Sequence, residues 1–221
     1  MTKRILVNLL GAIFISLGIR FIITAGFGAF PIDSTSYFIN SLSKNVVSLG
    51  MANFIVNFSL MIIGYFLSKN YKVFYGIILT FGISLLLDLW NITIVPYIGS
   101  INEEWFRLLL SFFGVLFIAI GSSLTIVTRM FVTPVDQMMV IFNKWFKNLF
   151  LSKLVLETAF LIVAVILGLI AGKLWEQIHW FTFIGILILS PMIQFIYHYI
   201  NKWFTPILFK NKELIEDDKK S

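Results

Sequence analysis

Two short acidic sequences recur in this chain, Pro31-Ile32-Asp33 and Pro134-Val135-Asp136. A proline suits the first turn of a helix, and a carboxylate two residues later lies by the exposed N–H groups and the positive end of the dipole. At a membrane surface such an aspartate only starts a helix. Held within a bilayer, the same carboxylate is a site for a proton, a cation or a polar solute. Four more polar residues interrupt apolar stretches and join them as candidate substrate or ion ligands: Asp88, Glu157, Asn53 and Asn57. Asn53 and Asn57 are spaced i, i+4 and share one helix face. Asp88 and Glu157 are too short to reach the headgroups from their positions, whereas Arg20 has the length to snorkel there. Gln194 suits a hydrogen bond to a neighbouring helix.

Other chemistry is poorly provided for. The chain has no cysteine, which excludes disulfides and thiolate ligands. His179 and His198 lie nineteen residues apart with no carboxylate at ligand spacing, so we expect no metal site and no cofactor. No phosphate-binding loop is present, and no nucleophile–base pair can be assembled, so an enzyme is not expected.

The elements that hold these residues are membrane helices. The 221 residues are 59% hydrophobic and 13% charged, far outside the soluble range. Apolar runs of spanning length cover about 5–25, 47–68, 73–95, 104–128, 152–172 and 179–200. The first is too long for a signal-peptide core. With the N-terminus inside, Lys3, Arg4, Lys69, Lys72, Arg129, Lys144, Lys147, Lys153, Lys202, Lys210, Lys212, Lys219 and Lys220 fall on the cytoplasmic side. Only Lys44, Arg107 and Lys173 fall outside. That bias predicts cytoplasmic termini, and it reads the net charge of +6 as topology and headgroup contact rather than nucleic-acid binding.

The stretches 31–44 and 134–149 are too short to cross, at roughly 21–24 Å as helices. The second is amphipathic, with Met138, Met139, Phe142, Trp145 and Phe146 opposite Gln137, Asn143, Lys144 and Lys147. Both are expected to dip into the bilayer or lie at its interface.

The chain also repeats itself. Pro31 and Asp33 match Pro134 and Asp136, and Gly11 and Gly18 match Gly114 and Gly121, all at an offset of 103. Asn40 matches Asn143, and one inserted residue later Ser48, Asn53 and Gly64 match Ser152, Glu157 and Gly168. Three crossings per copy, an odd number, require opposite insertion of the two copies. The expected fold is an all-α polytopic bundle within one membrane domain, 1–221. It is a 3+3 inverted repeat of units 5–95 and 104–200, with a charged cytoplasmic tail at 201–221. The third helices match least, with Gly76 set on Gly185 and Gly82 opposite Pro191. The paired glycines are structural, because small residues on one face let helices approach. Trp105, Trp175, Trp180 and Trp203 suit an interfacial belt.

The glycine-bearing first helix, Ala29-Phe30-Pro31-Ile32-Asp33 and the helix start Ser48-Leu49-Gly50 resemble the YczE/YitT group of bacterial integral membrane proteins. The second copy departs from the pattern, with Arg129 where Gly26 stands in the first. The resemblance spans most of 5–200 and implies a bacterial inner-membrane protein of undefined activity, for which the expected role is a permease or transporter of a small molecule or ion. The expected partners are the lipid bilayer and a small-molecule or ion substrate. The class also allows a second copy of the chain or a separate energising subunit. The alternative is a non-transporting membrane scaffold or regulator.

Overall fold

The computed structural model describes residues 2–44, 46–101 and 103–209. Among these residues the fold is all-α. The order is α1 (Thr2–Ala25), α2 (Pro31–Leu42), α3 (Leu49–Ser68), a 3-10 turn (Tyr71–Gly76), α4 (Ile77–Thr93), α5 (Val95–Ile98), α6 (Glu104–Val127), α7 (Pro134–Phe146), α8 (Leu149–Ala171), α9 (Leu174–Gln177) and α10 (Trp180–Leu208). Six helices are long and apolar enough to cross a membrane, and they match the six apolar runs of the sequence. The last continues to Leu208, into the stretch assigned to the tail, and the tail's Lys210, Lys212, Lys219 and Lys220 lie outside the described residues. The chain is a multi-pass membrane helix bundle.

Local chemistry sets the helix boundaries. Pro31 opens α2 and Pro134 opens α7, each after an extended residue. Ser48 and Asn148 cap α3 and α8 by accepting the N–H groups of Met51 and Leu151. The short helices have 12 and 13 residues, roughly 18–20 Å, and do not span.

The bundle is organised on the antiparallel crossing of α1 and α6. Gly11 lies against the Gly121 carbonyl and Thr125, and Gly18 against the Gly114 carbonyl and Ile118. From the other side, Gly114 meets the Gly18 carbonyl and Ile22, and Gly121 meets the Gly11 carbonyl and Ile15. Adding 103 to each α1 residue gives its α6 counterpart, so the two sets of contacts exchange with each other. Apolar side chains gain little by leaving lipid for another helix, so this close backbone approach supplies the dispersion contact that holds the seam.

The same exchange closes the helix ends. Arg4 donates from Nε to the Thr128 carbonyl at 2.9 Å, and Arg107 donates from Nε to the Ala25 carbonyl at 2.7 Å. Each guanidinium thus satisfies an orphan carbonyl, at the negative end of the dipole of the other copy's first helix. Left-handed backbone recurs at Gly26 and Arg129, and again at Lys44 and Lys147, both pairs at the 103 offset. Arg129 therefore adopts the conformation of the glycine it replaces.

The short helices cross over between the copies. α2 packs on α8, with the Phe38 ring against Gly168, while α7 packs on α3, with Met138 and Ile141 against Gly64. The third helices differ more. Gly76 lies against the Val132 carbonyl and Gln137, whereas Gly185 lies against the Phe30 ring. Gly82 has no neighbour within 4 Å, and Pro191 is internal to α10. Helix packing is repeat-like throughout the first two helices and the short segment of each copy.

Candidate functional site

Where α1 and α6 cross beside the short helices, a cavity of about 90 Å³ remains. Ile15 and Ile118 line it from near the midpoints of α1 and α6. Many of its walls come in matched pairs: Ile15 with Ile118, Ile19 with Ser122, Phe30 with Thr133, Ile32 with Val135, and Asp33 with Asp136. Asn53 and Glu157 form a sixth pair, beyond the inserted residue.

Asp33 and Asp136 therefore face one cavity, but their surroundings differ. Thr133 caps α7 by accepting the Asp136 N–H, and its hydroxyl donates to the Asp136 carboxylate at 2.6 Å. That is partly a helix-start role. At the matched start of α2 stands Phe30, which has no capping side chain. The Asp33 carboxylate is 5% exposed and accepts no hydrogen bond among the described residues. Capping explains part of Asp136 and none of Asp33.

The second helix of each copy adds the remaining polar wall. Asn57 donates to the Asn53 side-chain oxygen at 3.2 Å, and the Ser84 hydroxyl approaches the same oxygen at 3.4 Å. Both asparagines are buried and line the cavity with Asp33. Glu157 is 4% exposed, and its Oε2 has no hydrogen-bond partner. A buried carboxylate oxygen without a donor is costly, which marks the position as one that a ligand or solvent would satisfy.

Lys153, counted among the cytoplasmic charges from the sequence, is 7% exposed and lines the cavity one turn before Glu157. No carboxylate lies within ion-pair distance of its ammonium group among the described residues. The i, i+4 spacing from Lys153 to Glu157 was the available signal, and proximity to a basic connector obscured it. Thr80, Ser122 and Thr133 also line the cavity and were not singled out from the sequence.

Asp88 lies elsewhere. It accepts the Ser48 hydroxyl at 2.6 Å and the Gly50 N–H at 2.8 Å, tying α4 to the start of α3. This placement anchors two helices and leaves Asp88 off the cavity wall. Arg20 does not snorkel; it is 9% exposed and donates to the Asn91 side chain. Gln194 lines a second chamber of about 130 Å³ with Ile126, Met139, Phe150 and Tyr197. That chamber shares Asp136, Lys153 and Ile193 with the central cavity.

Among the described residues, no three histidine, aspartate or glutamate side chains gather closely enough to hold a metal ion. The cavity joins three carboxyl groups, one ammonium group and two amides within an apolar shell. Such a set can bind a polar solute or ion and exchange protons with it.

Comparison with known proteins gives a family without an assigned activity. A family model described as "Family of unknown function (DUF6198)" matches residues 2–198, and the chain belongs to that family. It is 26% identical over 159 residues to the uncharacterized protein YyaS of Bacillus subtilis (strain 168), covering 71% of this chain and 77% of that one. No solved structure matches it.

Proposed function

We propose that this DUF6198 member is a permease for a small molecule or ion, built as a 3+3 inverted repeat whose substrate site is the central cavity. One observation carries the reading: matched positions line one buried cavity, and one of its carboxylates, Glu157, has a buried oxygen without a hydrogen-bond donor. A structural core would neutralise or satisfy such groups. Short helices that begin inside a bundle also suit alternating access. The YczE/YitT resemblance agrees with this role. By the basic connectors, the face holding the start of α1 and the end of α6 is cytoplasmic, in a bacterial inner membrane.

A scaffold or regulatory role draws on a different observation, the Thr133–Asp136 contact, which resembles ordinary helix capping. Solute flux in proteoliposomes, across a broad metabolite panel with and without a pH gradient, separates the two. Asp33→Asn and Asp136→Asn keep much of the local hydrogen bonding while removing charge. Under the permease reading both variants stay folded and lose flux. Folded variants that transport like wild type would remove the aspartates from the mechanism, and absence of flux across the whole panel would favour the scaffold.

A further inference from the structure

We infer that the central cavity binds a small primary ammonium ion, of the size of ammonium or methylammonium, at the carboxyl oxygens that Lys153 leaves unpaired. The inference rests on the permease reading and names its substrate class.

Charge is the first ground. The titratable and charged groups lining the cavity are Asp33, Asp136, Glu157 and Lys153, three acids against one base. A buried site with that excess of carboxyl groups offers more acceptor oxygens to a cationic N–H donor than donors to an anion. Hydrogen bonding is the second. Glu157 Oε2 is buried without a donor, and Asp33 accepts none, while Asn53 and Thr133 add further oxygen atoms to the wall. An R–NH3+ group brings three donors to such acceptors. A divalent metal needs several carboxylate oxygens at one point, and no such set is assembled among the described residues.

Size is the third. An apolar cavity of about 150 Å³ holds benzene, with six heavy atoms. The 90 Å³ here limits the occupant to fewer. Lys153 supplies the fourth ground. Its ammonium is tethered one helical turn from Glu157, yet it closes no ion pair with Glu157 or Asp136 among the described residues. The acceptors of the central cavity are thus left for a mobile cation, and Lys153 also lines the adjoining 130 Å³ chamber.

The test is ligand-dependent thermal stability of the full chain in detergent, read by tryptophan fluorescence at constant ionic strength. Methylammonium and ammonium chlorides are compared with sodium, potassium and tetramethylammonium chlorides, glycine and sodium acetate. Methylammonium and ammonium should raise Tm, with tetramethylammonium and acetate inert. Glu157→Gln should weaken methylammonium at least tenfold. Lys153→Met should strengthen it about tenfold or more, because a competing charge leaves a low-dielectric site. If Lys153→Met does not fold, Asp33→Asn provides the second variant and should weaken binding as Glu157→Gln does.

Equal stabilisation by tetramethylammonium, or stabilisation by glycine or acetate but not methylammonium, overturns the inference. So does unchanged affinity in both Glu157→Gln and Asp33→Asn. Binding without flux in liposomes would overturn the permease reading alone. Flux of an anion without methylammonium binding would overturn the ammonium assignment alone.

Discussion

A methyl group added at Gly18 tests the α1–α6 seam on which the cavity depends. Its Cβ would stand 2.5 Å from the Gly114 carbonyl oxygen, 2.7 Å from Ile118 Cγ1 and 2.9 Å from the Ile118 nitrogen. Ordinary contact begins near 3.4 Å, so relief at the carbonyl requires an opening of about 0.9 Å. Two of these atoms are backbone and cannot rotate away. Overpacking of this kind costs about 1–3 kcal/mol. Gly82, inside α4 with nothing within 4 Å, is the control. Both substitutions gain about 0.5–1 kcal/mol of helix propensity, which cancels in the comparison. Gly18→Ala should therefore be about 1–3 kcal/mol less stable than Gly82→Ala. At about 2–4 °C per kcal/mol for a chain of this length, Tm should differ by roughly 2–12 °C in detergent. Gly121→Ala, whose Cβ would meet the Gly11 carbonyl at 2.6 Å, should match Gly18→Ala. Coincident melting of Gly18→Ala and Gly82→Ala would refute the close seam.

The other expectations concern anchoring, orientation and access. Asp88→Ala should destabilise by on the order of 1–3 kcal/mol through loss of the Ser48 and Gly50 contacts, with flux per folded molecule unchanged; lost flux in stable protein would return Asp88 to the transport path. Because the chain lacks cysteine, Ser100→Cys should react with an impermeant thiol reagent on intact cells and Lys147→Cys only after permeabilisation. The reverse pattern would invert the topology. Met139→Cys, lining the second chamber, should react in inside-out vesicles, while its counterpart Ser36→Cys, 1% exposed, should resist reagent from either side. Equal reactivity would mean that the chamber is no access route.

The parts of this fold legible in the sequence were those fixed by rigid geometry. Pro31, Pro134 and the four paired glycines recur at one offset, where a helix start and a close helix crossing tolerate few residue types. They located the crossing helices and the short segments. Positions whose requirement is met by varied side chains were harder to read. Arg129 takes a left-handed backbone without being glycine, so the match with Gly26 is invisible in residue type. Arg4 and Arg107 share the offset and a role in closing helix ends, yet both read as topology charges from the sequence. Lys153 was misread for the same reason, since a basic residue beside a connector looks like a headgroup contact until α8 turns it inward.

These misreadings share a cause. Matched positions share helix packing but differ in chemistry. Asn53 stands opposite Glu157, Leu49 opposite Lys153, and Phe30 opposite Thr133. Leu49 is buried in the apolar core, whereas Lys153 faces both chambers. Three of the four charged groups on the central cavity thus come from the second copy, and Asp33 alone comes from the first. Under the proposed inverted-repeat permease reading, a backbone that rocked between two related arrangements would present these unequal side chains differently, so the arrangements would differ in energy and in the charge each exposes. A ligand that neutralises the charged side would shift the balance between them, and it can do so only by its difference in affinity for the two. The unequal pairs are therefore where selectivity and direction would reside, while the matched glycines and arginines hold the frame in which they act.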